Sequence, residues 1–160
     1  MKVAVVMGSD SDLPVIKKGI EVLKSFGVEY VARVISAHRT PDRAHDFAKN
    51  AENNGIEVII AAAGKAAHLA GVLAAYTTLP VIGLPIKSST MDGLDSLLST
   101  VQMPKGIPVA TVAIDGAENA AILAVQMLAL KYPELKDKLA EYKQKMARDI
   151  EKKDSELTID

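Results

Sequence analysis

Short apolar runs alternate with longer amphipathic stretches along most of the chain. Residues 2–7, 28–34, 56–62, 80–84 and 108–114 are the apolar runs and read as strands. Between them, apolar positions recur at three- and four-residue steps and predict helices over 13–26, 41–54, 66–77, 92–101 and 117–131. The punctuation agrees with this division. Asp12 stands at an N-cap position, Pro14 in the first turn, and Gly27 at the stop. Thr40 and Pro41 open the second helix and Gly55 closes it. The run over 56–62 is continuously apolar, which suits the centre of a sheet.

Strands and helices in strict alternation imply right-handed crossovers and a parallel sheet covered on both faces. The expected class is therefore α/β: a three-layer α/β/α flavodoxin-like domain with a central parallel sheet and a C-terminal helical extension. The domain is expected over residues 1–131 and the extension over 132–160. In the extension, Leu135, Leu139, Tyr142, Met146 and Ile150 form one apolar stripe on an otherwise charged helix. That stripe could fold back on its own domain or reach across a subunit boundary, and spacing alone leaves both open.

Composition narrows the function classes. A chain of 160 residues with 49% apolar residues fits one ordinary domain with a real core. Aromatics make up only 4%, so the apolar content is that of aliphatic strands under close-packed helices. A net charge of −1 without a basic stripe argues against nucleic acid as a partner. With no cysteine, disulfides, zinc–cysteine sites and thiol nucleophiles are excluded. No apolar run reaches the ~20 residues of a membrane helix, and the N-terminus reads straight into a strand without a leader pattern. The expectation is a cytoplasmic protein with no membrane partner.

In open α/β sheets, ligands bind beyond the carboxyl ends of the strands. That edge comprises segments 8–12, 36–41, 63–69 and 85–93. In the first segment, Gly8 permits a tight turn, while Ser9, Ser11 and the N–H groups of a helix start can hold a phosphate. Asp12 suits ribose hydroxyls or the helix cap, and Asp10 suits solvent. A plain turn with a helix cap accounts for this loop equally well. The second segment places Ser36 beside His38 and Arg39. Arg39 offers a planar fork of donors for phosphate. An imidazole, with an unperturbed pKa near ~6.5, can take and return a proton at neutral pH. The third contains Gly64, Lys65, Ala66 and His68 among small residues that let a flat ligand approach the backbone. A structural histidine at a helix start would look the same. His45 sits on the polar side of the second helix and is expected to be exposed. No histidine or carboxylate pair has metal-ligand spacing, so no metal is expected.

Taken together the loops are more specific than any one of them. Gly8-Ser9-Asp10-Ser11-Asp12, Ser36-Ala37-His38-Arg39-Thr40-Pro41 and Ala66-Ala67-His68-Leu69 occur in that order. Gly83-Leu84-Pro85-Ile86, Asp95-Ser96-Leu97-Leu98-Ser99 and the segment from Val101 to Val109 follow. This set resembles the PurE family of N5-carboxyaminoimidazole ribonucleotide mutases, over roughly residues 3–130.

The resemblance implies a cofactor-free isomerisation in purine biosynthesis, with a small nucleotide substrate and CO2 held as a bound intermediate. By the family's pattern Ser9, Asp12 and Arg39 bind the nucleotide, with Ser11 and Ser36 near its phosphate and Gly64, Lys65 and Ala66 at its base. His38 matches the proton-transfer residue and His68 a second active-site histidine. A homo-oligomer, an octamer with C-terminal helices packed on neighbours, is also implied. Two positions depart from the family's pattern: Lys65 replaces a glycine and Ala70 a proline. The related carboxylase branch, which uses free CO2, is similar in having a basic residue at the Lys65 position but lacks the equivalent of His68. Retained His68 favours the mutase.

Overall fold

The computed structural model describes residues 1–158, so the last two residues of the expected extension lie outside the described residues. Strands β1 (Lys2–Met7), β2 (Glu29–Val34), β3 (Val58–Gly64), β4 (Val81–Ile86) and β5 (Ala110–Thr111) form one sheet. Its order is β2-β1-β3-β4-β5 and every pairing is parallel, the flavodoxin-like arrangement. The helices are α1 (Leu13–Ser25), α2 (Pro41–Asn50), α3 (Leu69–Ala75), α4 (Leu94–Val101), α5 (Ala117–Leu128) and α6 (Glu134–Ser155).

The pleat divides the core in two. Val3, Val5 and Met7 of β1, with Val58, Ile60 and Ala62 of β3, face α1 and α5. Ala4 and Val6, with Ile59 and Ala61, face α2 and α3. Such strands are buried on both faces, which is why their sequence is apolar at every position rather than at alternate ones. The edge strand β2 differs. All its residues except Val31 are exposed, so the expectation of cover on both faces fails at this edge.

Element boundaries moved for identifiable reasons. The helix expected over 66–77 starts only at Leu69, because Lys65 adopts a left-handed φ of 55° and the chain turns before it can wind. The second helix ends at Asn50, followed by a 3₁₀ turn over Glu52–Asn54 that closes on Gly55 at φ 75°. Within the span expected for the fifth strand, only Ala110 and Thr111 pair with β4.

The first half of the α6 stripe folds back on its own domain. Leu135 is fully buried, and Leu139 and Tyr142 pack on the core beneath α1 and α5. Tyr142 meets Phe26 with ring centroids 5.7 Å apart, and Lys138 Nζ donates to the Phe26 carbonyl at 2.8 Å. Beyond that point the stripe is uncovered, with Met146 and Ile150 44% and 63% exposed. Among the described residues no helix is long and apolar enough to cross a membrane.

One contact fixes how closely the helices on the first face approach. A Cβ added at Gly19 in α1 would lie 2.7 Å from the Ala117 carbonyl oxygen at the start of α5. Helix propensity favours Gly19→Ala by about 1 kcal/mol, whereas overpacking against backbone costs about 1–3 kcal/mol. The clash should win. Gly19→Ala is expected to lower the thermal midpoint by several degrees, and an unchanged or raised midpoint would show that α5 can retreat freely.

Candidate functional site

A parallel sheet delivers all its strand ends to one edge, and there the structure opens a cleft of about 660 Å³. Ser9, Ser11, Asp12, Ser36, His38, Arg39, Gly64, Lys65, Ala66 and His68 all line it. Every candidate chosen from sequence is thus brought to one cavity. Lys87, Ser88 and Ser89 just past β4 also line it and were missed, as does Ile86 at the strand's end, which entered only as part of the Gly83–Ile86 motif. The 85–93 segment was expected at this edge, but nothing in its composition singled out a residue.

The first loop is a tight knot of polar groups. Ser9 caps a 3₁₀ turn over Asp10–Asp12, with its Oγ accepting from the Ser11 N–H at 3.3 Å and the Ser11 hydroxyl at 2.8 Å. The Asp12 carboxylate turns back to accept the Ser9 N–H at 3.3 Å and the Ser11 hydroxyl at 3.4 Å. Asp12 therefore holds the N-cap position of α1 without capping it, contrary to expectation. Its own loop offers closer donors than the helix does. Burial raises its pKa above the ordinary 3.8, the Ser9 and Ser11 hydrogen bonds oppose that, and the Asp10 and Asp115 charges add to it.

The second loop is shaped by Ser36 and Thr40. The Ser36 N–H donates to Thr40 Oγ1 at 3.1 Å, and that hydroxyl donates to the Ser36 carbonyl at 2.8 Å. Ser36 Oγ accepts both the Arg39 N–H at 3.1 Å and Arg39 Nε at 3.3 Å. Arg39 Nη2 also reaches the Gly8 carbonyl at 3.3 Å, which draws the second loop against the first. The guanidinium is thereby held against Ser36 and the Gly8 carbonyl at the cleft, where Ser9 also lines the wall.

The third loop brings in the other histidine. Nε2 of His38 lies 2.8 Å from Nδ1 of His68, with the rings perpendicular and their centroids 5.0 Å apart. In a hydrogen bond of this length one ring nitrogen donates and the other accepts. A Cβ at Gly64 would lie 3.3 Å from the Ile86 carbonyl of the neighbouring strand, a tight contact that the backbone would have to relieve by a small shift. Lys65 follows at φ 55°, a conformation that costs a non-glycine residue about 1–2 kcal/mol. His45 lies outside the cleft, half-buried, stacked edge-on against Tyr76 and bonded to Asp46 at 3.0 Å. It is less exposed than its helix face suggested, because α3 packs beside α2.

On the far wall, Lys87 Nζ pairs with Asp92 at 2.8 Å and the Lys87 N–H donates to Asp115 at 2.9 Å. Behind that wall the buried Ser96 hydroxyl lies 2.8 Å from both the Ile86 and Gly93 carbonyls.

Known proteins share both this architecture and this sequence. A family model described as AIR carboxylase matches residues 2–149. The chain belongs to the AIR carboxylase, or PurE, family. It is 65% identical to a Pyrococcus abyssi protein named N5-carboxyaminoimidazole ribonucleotide mutase, over 92% of this chain and 84% of that one. A Thermotoga maritima protein of the same name is 58% identical, over 98% and 91% of the two chains. A chloroplastic phosphoribosylaminoimidazole carboxylase of Vigna aconitifolia is 52% identical over 87% of this chain, which spans only 25% of that longer protein. The crystal structure of Treponema denticola PurE superposes with a TM-score of 0.88 at 31% identity, covering 99% of both chains.

The raised pKa of Asp12 has a definite sign. A carboxyl whose folded pKa exceeds its unfolded one stabilises fully when protonated, and that stability is lost as pH rises through the folded pKa. At neutral pH the Asp12 charge therefore destabilises the fold. Asp12→Asn is expected to raise the denaturation midpoint at pH 7, with the difference closing as pH falls toward 3.8. A lower midpoint at pH 7 would mean that the Ser9 and Ser11 bonds outweigh burial.

Proposed function

We propose that this PurE-family chain is an isomerase that converts N5-carboxyaminoimidazole ribonucleotide to 4-carboxy-5-aminoimidazole ribonucleotide in de novo purine biosynthesis, without a cofactor and in the cytoplasm. The observation that carries this reading is the 2.8 Å contact of His38 with His68 inside the common cleft. The names of relatives such as the Pyrococcus abyssi and Thermotoga maritima mutases agree with it.

In this reading Ser9, Ser11, Ser36 and Arg39 take the phosphate and Asp12 accepts from the ribose hydroxyls. Gly64, Lys65 and Ala66 lie along the base. The imidazolium of His38 protonates the carbamate nitrogen, and the bond from that nitrogen to the carboxyl carbon breaks to give aminoimidazole ribonucleotide and CO2. The ring carbon attacks the retained CO2 and forms the new carbon–carbon bond. Neutral His38 then removes the proton from that carbon and aromaticity returns. One proton leaves His38 and one comes back, so the balance closes without an external acid or base. Holding CO2 beside the ring replaces a bimolecular search by an intramolecular step, and the small side chains of Ala63, Gly64 and Ala66 leave room for it.

The free-CO2 carboxylase reading draws on the name of the Vigna aconitifolia relative and on the lysine at position 65. Turnover of the N-carboxylated nucleotide without added bicarbonate supports the mutase. Turnover only of the uncarboxylated nucleotide with bicarbonate supports the carboxylase. His38→Asn should lower kcat by about 10²–10⁴-fold with nucleotide binding retained, and near-normal turnover would defeat the shuttle.

Assembly into an octamer is part of the same proposal, and the uncovered half of the α6 stripe supports it. The buried half belongs to the core, so the test must spare Leu135, Leu139 and Tyr142. Met146→Glu combined with Ile150→Glu is expected to reduce the sedimentation coefficient while the circular dichroism spectrum stays the same. An unchanged sedimentation profile would remove α6 from the interface.

A further inference from the structure

Three cations line the cleft, and their engagements differ. Arg39 is held by Ser36 Oγ and the Gly8 carbonyl, and Lys87 is paired with Asp92 at 2.8 Å. Lys65 lines the same cavity, yet its ammonium has neither a hydrogen bond nor an ion pair among the described residues. It also occupies a backbone conformation, φ 55°, that glycine would adopt without strain. A side chain kept at such an outlier in a ligand cleft points to a role for that side chain.

Position fixes the role. Arg39 follows β2 and Lys65 follows β3, and β1 lies between those strands. Two strand spacings, roughly 10 Å, therefore separate the two loops. The His38–His68 contact bridges the same gap, since His38 precedes Arg39 and His68 lies just past Lys65. A ligand lying across the histidines thus meets a cation at each end. The ligand of the function proposed above carries a phosphate at one end and a carboxylate at the other.

We infer that Lys65 anchors the migrating carboxylate, opposite the Arg39 end that takes the phosphate; the inference rests on the function proposed above. The ammonium pairs with the carbamate of the substrate and with the ring carboxylate of the product. It loses that partner while the group is neutral CO2. Lys65 therefore stabilises both bound end states and leaves the CO2-bearing state alone, so it tightens binding while deepening the states from which the chemical step must start.

The test measures calorimetric Kd values for 4-carboxy-5-aminoimidazole ribonucleotide and for uncarboxylated aminoimidazole ribonucleotide. Wild-type protein, Lys65→Met, Lys65→Arg and Lys65→Gly are compared. Lys65→Met should weaken the carboxylated nucleotide by about tenfold and leave the uncarboxylated one within about twofold. In turnover, its KM should rise and its kcat should not fall. Lys65→Arg should keep the discrimination. Lys65→Gly, freed of the left-handed strain, should reproduce the loss without a folding defect. Equal weakening of both nucleotides by Lys65→Met, or of neither, overturns the role of Lys65 while the proposed function stands. Wild-type protein that binds neither nucleotide overturns both.

Discussion

A parallel ladder is the constraint on which this molecule turns. When Met7 pairs with Ala62 and Val34, and Gly64 with Ile86, neighbouring strands run out of partners at one common edge. Every loop that leaves this edge starts close to the others, however far apart the residues lie in sequence. His38 and His68 are 30 positions apart and reach hydrogen-bond distance because the register leaves their loops only two strands apart. A slip of one residue in β3 would reverse its faces and remove one histidine from the other. The two-sided burial of β1 and β3 keeps that slip costly.

The same logic explains what could be read in advance. Strands buried on both faces have an unmistakable apolar signature, and their alternation with helices leaves few topologies. The ten candidate residues were recognisable because they sit at or just past the ends of the strands, the exposed edge strand β2 included. The signal was weaker where backbone handedness decides. Nothing in residues 65–68 announces that Lys65 turns left, so the helix was expected three residues before its actual start at Leu69. Asp12 was assigned to the helix cap by type alone, whereas its nearest donors belong to its own loop. Lys87, Ser88 and Ser89 look like any polar connection and gain meaning only from the strand that precedes them.

Helix α6 shows where spacing carries information and where it does not. Its stripe from Leu135 to Ile150 has one period and one chemistry, yet the first half closes the core and the second half faces outward. Which part a domain covers depends on how far the body of that domain extends along the helix. At ~1.5 Å per residue, 22 residues make a rod of roughly 33 Å, longer than the layer of α1 and α5 beneath it. The remainder extends past that layer with Met146 and Ile150 uncovered.

The hydroxyl of Ser96 has a consequence for how the cleft deforms. By bonding to the carbonyl of Ile86, it clamps the end of β4 to an outer helix rather than to the polar segment that follows the strand. The cleft wall at Ile86 is thereby tied to α4, and the segment after it is pinned as well, by Lys87 to Asp115 and Asp92. A shift of α4 would therefore carry the end of β4 and the segment after it together, since the Ser88 hydroxyl is held by Asp95 of the same helix.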